Sequence, residues 1–166
     1  EKMSLKKMKD FFETNKEIIN NTDLVIEKLN ILNCSYTALP YPKKMNFLDI
    51  NVLDKFIEDI NIAGSIFSKA NKVLCYHNHA LEFQKINQEI ILEMIFNNTD
   101  NKYIQGEPDV YWIQKGGHDP ISWCKKLKNR LPLIHLKDFI MLNEHENYYA
   151  EIGNGNLDIK NIIKEA

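Results

Sequence analysis

A parallel α/β chain of strand–helix units, and more narrowly part of a (β/α)8 barrel, is the fold class this 166-residue sequence predicts. Three observations predict it. Short apolar segments that read as strands begin near residues 35, 73, 103 and 131, leaving gaps of 38, 30 and 28. Apolar residues at three-and-four spacing fill those gaps, and strands separated by helices pair in parallel. The composition, 44% apolar and 27% charged, is that of a chain able to bury one core. A barrel of ~250 residues uses ~31 per unit, so this chain makes about five units. Five strands are what the pattern shows.

Each element has its own reason. Ser4 to Asn33 carries Leu5, Met8, Phe11, Phe12, Ile18, Ile19, Val25, Leu29 and Leu32 at helical spacing. A break falls near Asn20–Asp23, where Thr22 is placed to cap a second helix. Ser35–Tyr41 is short and turn-bounded, a strand, and Pro42-Lys43-Lys44 a loop. From Asp49, an N-cap, the residues Leu53, Phe56, Ile57, Ile60, Ala63 and Phe67 trace the buried face of a long helix. Val73–His79 reads as a strand, and Glu89–Phe96 as a short helix with Ile90, Ile91, Met94 and Ile95 inward. Tyr103–Asp109 is a strand weakened at its end by Pro108, which has no N–H to donate. Asp119-Pro120 supplies the cap and first residue of a helix through Lys128. Leu131–Lys137 is an apolar strand and Tyr148–Ile152 a weaker one, after which Gly153-Asn154-Gly155 turns the chain into a helix near Asp158.

The chain opens inside a helix and stops about two turns into another, which favours part of a barrel over a small open sheet. Neither G-x-G-x-x-G nor G-x-x-x-x-G-K-[ST] follows any strand, against the nucleotide-binding open sheets. Residues 1–166 are read as one partial barrel domain.

Composition excludes other classes. Lys+Arg 21 against Asp+Glu 23 leaves a net charge of −2, with no general basic surface for nucleic acid. No apolar run approaches the ~20 residues of a membrane span, and no secretory pattern opens the chain. Cys34, Cys75 and Cys124 are odd in number and show no C-x-x-C, against a disulfide framework or structural zinc. A reducing, cytoplasmic location is the expectation, with a signal peptide on a preceding portion left open.

In parallel α/β folds function gathers at the carboxyl ends of strands. Here those ends are Tyr76-His77-Asn78-His79, Asp109 and His135-Leu136-Lys137-Asp138. Period two places His77 and His79 on one face, and His135 and Lys137 on one face. Two imidazoles and a carboxylate from three adjacent strands suit Mn²⁺, Zn²⁺, Fe²⁺ or Co²⁺ better than Ca²⁺. From spacing alone a ligand role and a structural role for the His77/His79 pair stay level. Asp109 also suits a cap for the loop after it, and Lys137–Asp138 a surface pair. Trp112 and Trp123 read as packing before substrate platforms, His118 as solvent-facing or capping, His145 as loop, and Cys75 as core.

Five strings, taken together and in order, resemble the sugar phosphate isomerase/epimerase family of xylose isomerase-like TIM barrels. They are Tyr76-His-Asn-His-Ala-Leu-Glu-Phe83, Asp109-Val-Tyr-Trp112, Gly116-Gly-His-Asp-Pro120, Arg130-Leu-Pro-Leu-Ile-His-Leu-Lys-Asp138 and Glu151-Ile-Gly-Asn-Gly-Asn-Leu-Asp158. The resemblance covers the chain from about Asn30 onward; broader relatives include tagatose 3-epimerases, inosose dehydratases and a family of abasic-site endonucleases. It implies a divalent metal (Mn, Zn, Co, Fe or Mg) at the barrel mouth, with Asp109 and His135 matching two ligand positions. The earlier ligand, a glutamate in the tagatose 3-epimerase branch, corresponds to His77, with His79 as its substitute one pleat on. Glu82 looks like a substrate-contacting carboxylate, and Trp112 and His79 lie on the substrate side. Lys137 resembles a group that meets a sugar hydroxyl, an enediolate oxygen or a phosphate. Glu151 resembles either its ion-pair partner or a substrate contact.

The reaction implied is metal-assisted proton transfer next to a carbonyl of a sugar or sugar phosphate. A keto-sugar lyase and a non-catalytic metal- or partner-binding fragment are the alternatives. The nuclease ranks last, because Trp112 stands where its Asp-x-x-His pattern has histidine. The family's final-strand glutamate, both ligand and proton-transfer group, has no counterpart before Ala166, so the expectation is a chain inactive by itself. A homo-oligomer covering the open barrel edges is expected too, and no nucleic-acid or membrane partner.

Overall fold

A computed structural model describes residues 15–40, 42 and 45–166. The expected helix over residues 4–14, Tyr41 as the end of the first strand, and Lys43-Lys44 lie outside those residues. The elements in order are α1 (Asn15–Asn20), α2 (Thr22–Ile31), β1 (Tyr36–Pro40), α3 (Ile50–Lys69) and β2 (Val73–His77). A 3-10 turn (Leu81–Phe83), β3 (Lys85–Ile86), β4 (Glu89–Ile90), α4 (Ile91–Asn97) and β5 (Ile104–Glu107) come next. The chain continues through α5 (Val110–Lys115), α6 (Pro120–Lys126), β6 (Asp138–Met141), β7 (Asn147–Ala150) and α7 (Ile159–Glu165).

β1, β2 and β5 form one parallel sheet in that order, with Pro40 opposite His77 and His77 opposite Glu107. α3 covers it, capped where the Asp49 side chain accepts the Asn51 N–H at 3.0 Å, and buries the apolar face expected of it. Phe56, Tyr76 and Phe96 meet edge to face through the centre of the core, with centroids 6.0 and 6.3 Å apart. The chain is therefore a partial parallel barrel, and no closed barrel forms among the described residues. β1 pairs with no strand on its outer edge among them, and its first residue, Tyr36, is exposed.

The segment expected as the strand Leu131–Lys137 runs parallel to β5 but is bonded only at its two ends. Gly106 N–H donates to Arg130 O at 2.7 Å, and His135 N–H to Pro108 O at 3.0 Å. One isolated bridge, Asp109 opposite His135, replaces a ladder. Pro132 removes a donor from the middle of the segment. Arg130, the one arginine of the chain, starts the segment by donating to the carbonyls of Ile104, Phe96 and Thr99 and to Thr99 Oγ1.

Three further differences have local causes. Asn87 and Gln88 both take positive φ, 50° and 73°, so a β3–β4 hairpin precedes α4 and the helix starts at Ile91, not Glu89. The residues after Asp109 form α5, a helix that the sequence pattern does not announce. Tyr148–Ile152 is not a parallel stave: β7 pairs antiparallel with β6, because the five residues between them cannot make a crossover. No helix among the described residues is long and apolar enough to cross a membrane.

Asp138 is no surface residue. It is 1% exposed, and its carboxylate accepts N–H groups from Phe139, Gly153, Gly155 and Leu157 at 2.9–3.2 Å. Burial alone would raise its pKa, yet those four donors hold it below the usual carboxylate range. A Cβ on Gly155 would overlap Asp138 Oδ1 and Phe139 O, so the Gly-Asn-Gly turn is shaped around this aspartate. Asp138→Ala should cost at least about 3 kcal/mol by urea unfolding, since several buried donors lose a charged acceptor. The depressed pKa puts this stability above the unfolded carboxyl pKa of about 4, to be lost as pH falls through the folded value. The gap between wild type and Asp138→Asn should accordingly narrow in acid.

Candidate metal centre

The carboxyl ends of β2, β5 and the 130–135 segment bring three chain-distant side chains together. His77, Asp109 and His135 each offer a ligand atom, and these lie within 4.8 Å of one another. His77 Nε2 stands 3.6 Å, and His135 Nδ1 3.2 Å, from Asp109 Oδ2. Asp109 is fully buried, and its two oxygens divide their work. Oδ1 caps α5 by accepting the Trp112 N–H at 3.1 Å; Oδ2 accepts no hydrogen bond and is the oxygen on which both imidazoles converge.

An orphaned buried carboxylate oxygen facing two ring nitrogens is the donor set a divalent transition ion takes, so these residues fit one. Burial pushes the Asp109 carboxyl above the usual carboxylate range, while the Trp112 N–H and the charges of His135, His77 and Lys137 pull it back.

Glu107 Oε1 lies 3.7 Å from His77 Nδ1, while Nε2 of the same ring faces Asp109. No motif in the sequence sets Glu107 apart, although period two puts it on the face of Asp109.

The other expected residues divide. His79 lies between His77 and Trp112, with ring centroids 5.3 Å from each. Lys137 Nζ sits over the rings of Tyr111, Trp112 and Tyr149 at 4.7, 4.8 and 4.3 Å. Glu151 accepts from Asn154 Nδ2 at 3.3 Å within its own turn, and no ion pair joins it to Lys137 among the described residues. Glu82 is fully buried, behind the site: its Oε1 accepts the Tyr76 hydroxyl at 3.1 Å and the His79 N–H at 2.9 Å. As the chain is folded here its carboxyl braces the 77–79 turn and faces no solvent.

Trp123 and Cys75 are buried as expected, and burial pushes the Cys75 thiol up to about 12, against any thiolate role. His118, expected to face solvent or to cap, is half-buried and stacks on Phe83 at 4.8 Å.

The fold and the cluster define a class: part of a parallel α/β barrel with a two-histidine, one-carboxylate site where its strands end. No family model and no curated protein matches the sequence. Among solved structures, the chain is similar to a sugar phosphate isomerase/epimerase from Parabacteroides distasonis ATCC 8503, at 29% identity over 98% of this chain, TM-score 0.69. A second such protein from that organism aligns at 21% identity over 91% of the chain, TM-score 0.72. A xylose isomerase domain protein from Planctomyces limnophilus aligns at 11% over 89%, TM-score 0.68. The last two likenesses are likenesses of fold. The chain spans 54% of the length of both Parabacteroides chains, so the likeness covers about half of each.

Burial pushes the Glu82 carboxyl up to about 7. Between the unfolded pKa and that value the folded state holds a proton the unfolded state has lost. Stability therefore falls as pH rises from about 4 to about 7, by roughly 3 kcal/mol, and levels above. Glu82→Gln keeps the acceptor for Tyr76 and His79 and should remove this slope in chemical unfolding followed across pH.

Proposed function

We propose that this chain carries the metal-holding part of a sugar or sugar phosphate isomerase or epimerase acting by proton transfer next to a carbonyl. One observation carries the reading: His77, Asp109 and His135 converge at the strand ends of a chain similar along 98% of its length to a sugar phosphate isomerase/epimerase. A bound divalent ion of the Mn, Zn, Co, Fe or Mg group would supply Lewis acidity at a carbonyl and its neighbouring hydroxyl, lowering the C–H pKa and stabilising an enediolate. The chain's own residues do the rest. Glu107 places a carboxylate beside Nδ1 of His77, and the α5 cap leaves Asp109 a single outward oxygen. Lys137 donates a hydrogen bond to the substrate oxygen that gains negative charge, its ammonium steered by three aromatic faces. Trp112 and His79 give a flat wall for the C–H face of a sugar, and Glu151 contacts hydroxyls from the loop. A second reading, a keto-sugar lyase, is favoured by one residue. His77 stands where the epimerase branch carries a glutamate, so β2 brings an imidazole and no carboxylate base to the substrate.

Paramagnetic broadening of ¹³C signals tests the first reading with Mn²⁺ as the probe ion. D-fructose and D-fructose 6-phosphate should broaden most at C2, the carbonyl-derived carbon, and at its hydroxyl-bearing neighbour C3 in the presence of protein and Mn²⁺, and sorbitol far less. His135→Ala should return the broadening to that of Mn²⁺ in buffer. Equal broadening by wild type and His135→Ala would contradict the proposal.

A further inference from the structure

We infer that Asn78 is a positioning residue: its side chain ties the end of β2 to the Asp109 main chain and so sets the spacing of His77 and Asp109. The inference rests on the metal reading of that cluster. The main-chain ladder between β2 and β5 stops at His77 opposite Glu107. Beyond it the two chains lose their regular partners at the point where the ligands stand. Asn78, 2% exposed, crosses that gap, and its Oδ1 accepts the Asp109 N–H at 3.0 Å.

On the other side Asp109 is already held. His135 N–H donates to Pro108 O at 3.0 Å, and Val110 N–H to His135 O at 3.2 Å. Main-chain bonds thus tie His135 to the residues flanking Asp109, whereas beyond the His77–Glu107 rung the link from β2 to Asp109 is a side chain.

Two further features isolate this role. Asn78 Nδ2 is buried and donates to nothing, so no other contact among the described residues calls for an amide here. A leucine has the same branching and the same number of heavy atoms, yet it would leave the Asp109 N–H without an acceptor. The backbone around Asn78 is also prepared for the task. Glu82 Oε1 holds the His79 N–H and the Tyr76 hydroxyl, fixing the turn on both sides of Asn78 and thereby the direction of its side chain. Partners of this kind behind metal ligands are commonly worth 10- to 100-fold in affinity.

Cobalt binding, followed by the visible absorption of Co²⁺, tests the inference. Asn78→Leu should bind Co²⁺ about 10- to 100-fold more weakly than wild type and shift the absorption bands, because ligand spacing changes. Asn78→Asp keeps an acceptor oxygen for the Asp109 N–H and should retain the wild-type absorption bands. Asn78→Ser, whose hydroxyl cannot reach the Asp109 N–H, should repeat the leucine result and serves if the leucine variant does not fold. Asp119→Ala removes a helix cap away from the cluster, and should lower the unfolding midpoint while leaving affinity and spectrum alone. Folded Asn78→Leu or Asn78→Ser with wild-type affinity and spectrum would overturn the positioning role while leaving the metal reading in place. Wild-type protein that shows no His135-dependent Co²⁺ spectrum would overturn both.

Discussion

A carboxylate with no water around it has to be held by the protein, and the way Asp109 is held organises everything near it. Its Oδ1 starts α5, its N–H is taken by Asn78, and the peptides on either side of it bond to His135. One residue thus closes a strand, opens a helix and ties down both neighbouring strand ends. What remains after these demands is Oδ2, a single buried lone-pair site aimed at two imidazole nitrogens. Burial without a compensating donor is costly. The fold keeps that cost at one atom, and that atom is where a cation would be most strongly favoured.

Asp138 shows how differently the same side chain behaves when the backbone satisfies it. Both aspartates are almost completely shielded from solvent. Four N–H groups converge on Asp138 and depress its pKa, whereas Asp109 receives one and its pKa rises. The first is a structural anchor that shapes the turn from Gly153 to Leu157. The second is an under-satisfied group in a cluster of titratable side chains, the arrangement that marks functional sites. Their positions, at or just beyond the ends of neighbouring strand segments, look alike in sequence; only the count of backbone donors separates them.

Much of the framework is legible in the sequence, because strand spacing and helical periodicity are properties of the chain itself. The parallel β1–β2–β5 sheet and the Asp49 and Asp119 caps derive from period and capping chemistry, and strand-end placement together with the family resemblance points to the His77/Asp109/His135 cluster. What the sequence does not show are roles set by partners and backbone conformations that only folding supplies. Nothing near Tyr148 says that it will fold back on Phe139–Ile140 rather than join the sheet. Glu82 carries the charge expected of a substrate contact, yet the Tyr76 hydroxyl and the His79 amide draw it inside. Asn78 lies within the Tyr76–Phe83 string, but an amide's value as an acceptor for a residue 31 positions later is invisible before folding. The β3–β4 hairpin is hard to see because Asn87-Gln88 lacks the glycine that usually marks two consecutive positive-φ residues.

The central claim is that these three side chains form one divalent-ion site, and anomalous diffraction from crystals soaked in Co²⁺ tests it most directly. The account predicts a single strong peak within about 2.0–2.2 Å of His77 Nε2, His135 Nδ1 and Asp109 Oδ2, with the remaining coordination positions open to solvent or substrate. A peak bound elsewhere, or an ion that leaves either imidazole uncoordinated while Asp109 Oδ2 stays orphaned, would contradict it.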